Sequence, residues 1–137
     1  MNPKPAFSQA PTIEDLEVIA KVAYAGMPRE LTRHVDDVVI RVVDFPDEET
    51  MDEMGCETEF DLLGLYRGVN LSRKSVTSVV PHLDMIFLYR RPLLDYWCET
   101  GEDLTNLVRH VLIHEIGHHF GLSDDDMHRI EAEADHS

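Results

Sequence analysis

Two histidines and a glutamate near the end of the chain have the spacing of a metal site. His114 and His118 are four residues apart, so on an α-helix both imidazoles lie on one face and can reach a single cation. Glu115 lies about 100° around the helix from His114, where it can hold a water molecule without ligating the metal. Two imidazoles and a carboxylate with one open position form a catalytic zinc site. The spacing therefore predicts a small zinc-dependent hydrolase.

The third ligand is expected beyond the second histidine. Gly121 offers a left-handed turn through which the chain can leave the helix. Asp124, six residues after His118, can then come back toward the metal and is the predicted third ligand, with Glu131 as the alternative. Gly117 lies inside the helix, where glycine costs ~1 kcal/mol relative to alanine, which indicates that something approaches the backbone closely there.

Several residues around this motif are assigned lesser roles. His119 points elsewhere on the helix and is expected to pack or to support a ligand. His110, one turn before His114, could border the site, but it is interpreted as an ordinary histidine on the helix surface. Met127 is expected to pack rather than to lie beneath the metal. The donor that stabilises the oxyanion is left open among four candidates: Tyr66, Arg73, Tyr89 and His128.

The remainder of the chain predicts the elements that position these residues. Apolar and polar periodicity predicts helices over 13–26, 92–97, 102–120 and 127–134 and strands over 35–45, 62–67 and 84–90. The first helix is a scaffold that begins after Thr12, and the helix over 102–120 is expected to hold the core together. The β-branched strand over 35–45 is expected at the centre of the sheet, and either of the other two strands could bind an extended peptide at its edge.

Composition and charge exclude some classes of function. A chain of 137 residues fits one domain, predicted over 12–137 after a flexible, proline-containing leader over 1–11. The formal net charge of −15 argues against nucleic-acid and anionic-membrane partners, because phosphate would be repelled. The acidic segment 46–59 lacks the ligand spacing of a calcium loop and is expected to be a solvated loop or short helix. Without a signal peptide or a membrane-spanning apolar run, a cytoplasmic protein is expected.

Two stretches resemble a known family. Residues 92–98 and 110–127 are similar to the small bacterial "minimal zincin" metallopeptidases, with the metzincin-like pattern His-Glu-x-x-His-x-x-Gly-x-x-Asp. The resemblance implies an α+β, zincin-like fold, in which a small mixed sheet packs on the active-site helix. It also implies Zn²⁺ bound by His114, His118 and Asp124 and a peptide or protein substrate whose sequence does not carry over.

Two functions follow from these observations. The favoured one is a zinc metallopeptidase that hydrolyses peptide bonds by a metal-activated water, with Glu115 as the general base. The alternative is a non-catalytic metal-binding or peptide-binding protein on the same scaffold. Glu115 argues against the alternative, because a structural zinc site has closed coordination and no use for a free glutamate beside its ligands.

Overall fold

The computed structural model describes residues 9–33, 38–70 and 82–135. Its elements, in chain order, are α1 (Ile13–Ala25), α2 (Arg29–Thr32), β1 (Val38–Val43), α3 (Glu48–Met54), β2 (Gly64–Asn70), β3 (His82–Tyr89), α4 (Arg90–Thr100), α5 (Leu104–His119) and α6 (Asp124–Asp135). These helices and the small sheet confirm the α+β prediction. The predicted leader over 1–11 lies outside the described residues except for its last three, and Arg73 lies outside them as well.

The three strands form a mixed sheet in the order β1-β3-β2. Strand β3 is central, because it pairs in parallel with β1 and antiparallel with β2. The prediction that the strand over 35–45 is central is therefore wrong, and so is the prediction that the strand over 84–90 could serve as an edge. β-branched residues are common in strands at the centre and at the edge of a sheet, so the composition of a strand does not give its position. The position depends on which distant parts of the chain supply the neighbouring strands.

Strand β2 runs over Gly64–Asn70 and so continues beyond the predicted strand over 62–67. Pairing with β3 extends over Gly68, which lies opposite Asp84. A second glycine in β2 allows a close approach to α5: a Cβ added at Gly64 would lie 2.7 Å from Cγ1 of Val111. Gly64 therefore lets the backbone of β2 lie directly against the helix that carries the histidines.

Helices α1 and α5 contact the sheet and each other around one core. The side chains that are fully buried there come from every layer and include Leu16 of α1, Leu88 of β3 and Leu112 of α5. Burial of each large side chain contributes roughly 1.5–3 kcal/mol, so α5, with eight buried residues, stabilises much of the fold as predicted. No helix in the described part of the chain is long and apolar enough to cross a membrane.

Helices α1 and α3 begin at side-chain caps. The predicted cap of α1 is a capping box, in which Thr12 and Asp15 each accept a backbone N–H bond from the other. The acidic segment contains the short helix α3, capped by Asp47, whose carboxylate accepts from the Thr50 N–H at 2.7 Å. Helix α4 runs over Arg90–Thr100 and is longer than the predicted 92–97.

A tight turn joins α5 to α6. Gly121 has a φ of 74°, the left-handed conformation that glycine adopts without steric cost. The Leu122 N–H donates to the Gly117 carbonyl at 2.8 Å, which closes the end of α5. Helix α6 begins at Asp124, three residues before the predicted start, because the Ser123 hydroxyl accepts a hydrogen bond from the backbone of the first turn.

Candidate metal centre

Polar side chains from α5 and α6 meet along the contact between the two helices. We call this row of side chains the histidine seam. His110, His114 and His118 of α5 lie close to His128 and Glu131 of α6, and Asp124 extends the row by its position at the start of α6. The α5 residues recur every fourth position, and Asp124 and Glu131 are seven residues apart, so each set shares a helix face. The turn at Gly121 reverses the chain direction and brings the two sets together.

One carboxylate oxygen at the centre of the seam contacts two histidines. Oε1 of Glu131 lies 2.6 Å from Nε2 of His114 and 2.9 Å from Nδ1 of His110. Within 9–33, 38–70 and 82–135, these three residues are the one group of at least three His, Cys, Asp or Glu whose ligand atoms all lie within 4.8 Å of one another. Imidazole nitrogen and carboxylate oxygen are zinc ligands, so the chemistry of this donor set fits zinc.

His114 has the properties of a ligand. It is the least exposed of the three residues, with 18% of its side chain accessible. Burial lowers the pKa of His114, although the Glu131 carboxylate acts in the opposite direction. The neutral imidazole is therefore favoured, which is the form that binds a metal.

The predicted ligands occupy different parts of the seam. The rings of His114 and His118 lie 5.8 Å apart between centroids, on one side of α5 as their spacing predicts. His118 is exposed in the last turn of α5, and Asp124 is exposed as the first residue of α6. Neither belongs to the group around Glu131, so the assignment of His114, His118 and Asp124 as ligands stays a prediction. The alternative third ligand, Glu131, is in direct contact with His114.

His110 has a larger role in the structure than the sequence suggested. The sequence favoured an ordinary surface histidine, but the His110 ring lies 4.1 Å from that of His114 and shares the Glu131 carboxylate. The available signal was its position four residues before His114, which repeats the spacing between His114 and His118. That signal could not show which α6 residue lies opposite.

Glu115 faces β2 rather than the seam. Its Oε1 accepts a hydrogen bond from the Tyr66 backbone N–H at 3.3 Å. Burial raises the pKa of Glu115 above its ordinary value, against smaller opposing effects of the Tyr66 N–H and of His118. A raised pKa makes a carboxylate a stronger base, so a carboxylate of this kind that is not tied to the metal ligands is suited to general-base chemistry.

The outer edge of β2 lies beside Glu115. The Leu63 carbonyl accepts from the Tyr89 N–H at 3.0 Å, and backbone groups of an antiparallel strand alternate between its two sides. Gly64, Tyr66 and Gly68 therefore direct their N–H and C=O groups away from β3, and the Tyr66 bond to Glu115 agrees with this alternation. Of the two strands predicted to bind a peptide, the one over 62–67 lies at an edge of the sheet in the described part of the chain.

A cavity of about 220 Å³ separates this edge from the histidines. It is lined by Leu62, Leu63, Gly64, His110, Val111, His114 and Glu115. The cavity thus brings the general-base candidate, a predicted metal ligand and the strand edge to one concave place, which is the usual setting of a small active site.

His119 packs outside the seam, as expected. Its ring stacks on that of Tyr66 with 4.0 Å between centroids.

Burial, together with the neighbouring Asp84 carboxylate, raises the pKa of Tyr66, and burial raises that of Tyr89 to about 12. Both phenols therefore stay protonated at neutral pH. His128 is the oxyanion candidate that lies on the seam, with its ring 6.2 Å from that of His114.

Gly117 provides space for Met127. A Cβ added at Gly117 would lie 2.8 Å from Cγ of Met127 and would also collide with its Sδ. Met127 is fully buried in the core, which confirms the expected packing role. The close approach that the glycine indicated is therefore that of α6, which this contact holds against α5.

Comparison with known protein families agrees with the fold. A family model described as zincin-like metallopeptidase matches residues 35–134, which include the whole sheet, α5 and nearly all of α6. The comparison with curated proteins gave no match. The α+β architecture is consistent with a zincin-like fold, and the match covers most of the chain. The chain therefore belongs to the zincin-like metallopeptidase family.

Proposed function

We propose that this protein is a zinc-dependent peptidase that hydrolyses peptide bonds with Glu115 as its general base. The observation that carries this proposal is the position of Glu115, which lines one cavity with His114 and accepts a hydrogen bond from the outer edge of β2. A peptide on that edge would pass beside both residues. Membership of the zincin-like metallopeptidase family supports the same reaction class.

The proposed zinc ligands are His114, His118 and Asp124. The two imidazoles share one side of α5, and the turn at Gly121 starts α6 at Asp124, close in sequence to His118. Zinc held there would supply Lewis-acid chemistry, because it lowers the pKa of water toward ~7 and polarises a carbonyl. Glu131 is the alternative third ligand.

Glu115 performs the proton transfers in this proposal. Its carboxylate takes a proton from the attacking water and delivers it to the leaving amine. The Tyr66 N–H bond fixes the orientation of the carboxylate, and burial brings its pKa closer to the working range. His128, on the seam beside His114, is the donor we propose for the developing oxyanion.

The substrate is a peptide or protein segment in an extended conformation. It adds to β2 as an extra strand, with its backbone bonded to the outward N–H and C=O groups of Gly64 and Gly68 and to the Tyr66 C=O, while the Tyr66 N–H stays bonded to Glu115. Main-chain bonding of this kind favours extended segments over folded ones and places one peptide bond beside the cavity. With a net charge of −15, nucleic acids and anionic membranes are not proposed as partners.

Cleavage of a pooled peptide library by the zinc-loaded chain tests this proposal. We expect cleavage that stops with a chelator and returns with added zinc, and that is lost in Glu115→Gln. Glu102→Gln, which changes an exposed carboxylate before α5, is the matched control and should keep activity. A folded, zinc-bound chain that binds peptides without cutting any would instead establish the alternative, a non-catalytic peptide-binding protein.

A further inference from the structure

The histidine seam contains two sets of candidate ligands that share one residue, His114. Nε2 of His114 is in contact with Glu131, and the proposed catalytic set uses the same imidazole, which has a single nitrogen lone pair when it is neutral. One imidazole nitrogen has one lone pair and binds one ion. An ion held by His110, His114 and Glu131 therefore excludes an ion held by His114, His118 and Asp124.

We propose that His110, His114 and Glu131 form a second metal site, which takes a divalent transition-metal ion such as zinc in a non-catalytic position. The metal-binding claim stands on the geometry of these three residues. The effect of this site on activity rests on the proposed function, because an ion held away from His118 and Asp124 can stop cleavage only if the protein is a peptidase. In this arrangement a single ion has two alternative positions along the seam.

The distances at this cluster suit an ion of zinc's size. Ligands at ~2.0–2.1 Å from a tetrahedral zinc are roughly 3.3 Å apart, whereas Oε1 of Glu131 lies 2.6 Å and 2.9 Å from its two imidazole partners. Both separations are shorter than the ligand spacing by less than 1 Å, so small side-chain movements would admit the ion. The observed contacts are hydrogen bonds that the same atoms make with one another.

The exposure of the cluster suits entry of an ion. The accessible side-chain fractions are 46% for His110, 18% for His114 and 25% for Glu131, so the group is open on the His110 side. Two imidazoles and one carboxylate leave a coordination position for solvent. Glu131 is also held in place, since neighbouring residues of α6, Met127 and Ile130, are fully buried in the core.

The distribution of the ion between the two sites depends on the two sets of ligands. An ion at the second site removes His114 from the catalytic set and leaves His118 without the second imidazole. Because both positions bind one ion per chain, added zinc does not change the ratio between them; only the relative affinities of the two ligand sets do. His110→Ala should therefore increase activity per bound zinc, since His110 belongs only to the second site.

Metal titration of variants tests the second site without an activity assay. We expect His118→Ala/Asp124→Ala to keep one zinc or Co²⁺ per chain, with a Co²⁺ absorption spectrum that differs from that of the wild type. Adding His110→Ala to this background should weaken binding by about tenfold or more, because loss even of an outer-shell partner of a metal ligand costs 10–100-fold. His128→Ala in the same background is the matched control, as a seam histidine outside both sets, and should change affinity little.

Two results would overturn the proposal. One is a folded His118→Ala/Asp124→Ala chain that binds neither ion, and the other is binding that is equally tight with and without His110. His110, His118 and Asp124 are all exposed, so circular dichroism should show native folding of these variants. A chain that binds zinc through His110 yet cleaves no peptide supports the second site and contradicts only the proposed peptidase activity.

Discussion

The two sides of α5 have opposite roles. One side is apolar and fully buried against the sheet and α1, through Leu107, Val108, Leu112, Ile113 and Ile116. The other carries His110, His114 and His118, which are half-buried or exposed and face α6. The first side stabilises the fold, whereas the second binds and positions chemical groups. We expect substitutions on the two sides to separate stability from metal binding and activity.

Glu115→Gln is the sharpest test of this separation on the polar side. Removal of a general base is expected to lower kcat roughly 10²–10⁴-fold, because the amide cannot accept the proton of water. Zinc affinity should stay within a few-fold of the wild type, since Glu115 is directed at the Tyr66 N–H and not at the ligand group. Steady-state kinetics and a zinc titration of the same preparation measure both. Retained turnover would remove Glu115 from the mechanism.

Leu112→Ala is the corresponding change on the apolar side. Leu112 is fully buried, so its truncation should lower the free energy of unfolding by roughly 2–5 kcal/mol. The folded fraction should keep its zinc affinity, because the metal ligands lie on the other side of the helix. Urea unfolding measures the loss, and Val18→Ala, at a side chain that is 62% exposed, is the control with little expected change. Zinc affinity that falls as steeply as stability would show that the two sides are not separable.

Gly117→Ala tests the contact that joins the two sides. The new methyl group would collide with Met127, at a cost of roughly 1–3 kcal/mol, while better helix propensity returns ~1 kcal/mol. A modest net destabilisation is expected, with weaker zinc binding because α6 moves away from α5. Gly26→Ala is the matched control, since its Cβ would meet its nearest atoms at 3.7 and 3.8 Å. Met127→Ala removes a fully buried side chain and is itself destabilising, so the double variant should lose less stability than the sum of the two single losses. Additive losses would show that Met127 is not the cause.

The smallest effect is expected at the surface of α6. Arg129 donates to both carboxylate oxygens of Glu30, at 2.6 and 2.9 Å, and links α6 to α2. The Arg129 hydrogen bonds lower the pKa of Glu30, so the pair stabilises the fold above the ordinary pKa of glutamate and loses this contribution as the pH falls through the lowered value. Glu30→Gln should therefore lower stability slightly at neutral pH and not in acid. Urea midpoints at both pH values, with Glu99→Gln as an exposed control, would detect this; equal losses at both would contradict it.

Much of the fold followed from local patterns. The capping box at Thr12 and the apolar period of α5 depend on nearby residues, so both could be predicted from the sequence. The order of the strands could not, because β1 obtains its partner from β3, more than forty residues away. The early start of α6 was missed because the cap at Ser123 precedes a run of aspartates rather than an apolar period.

The four-residue spacing of the histidines on α5 could be predicted from the sequence, but the residues of other elements that contact the site could not. Helical spacing alone places His114 and His118 on one side of α5, as the structure has them. The contact between His114 and Glu131 depends on how α6 returns after the turn, which spacing does not encode. The bond from the Tyr66 N–H to Glu115 leaves no sequence signal, because every residue except proline carries the same backbone donor.

The most direct test is the zinc content of the dialysed wild-type chain and of His114→Ala, measured by elemental analysis and confirmed by titration. His114 is the one histidine common to both ligand sets on the seam. We expect one zinc per wild-type chain and a loss of tight binding in His114→Ala, with native circular dichroism in both. A wild-type chain without zinc affinity, or a His114→Ala chain that binds zinc as tightly, would contradict the metal centre on which the proposed function depends.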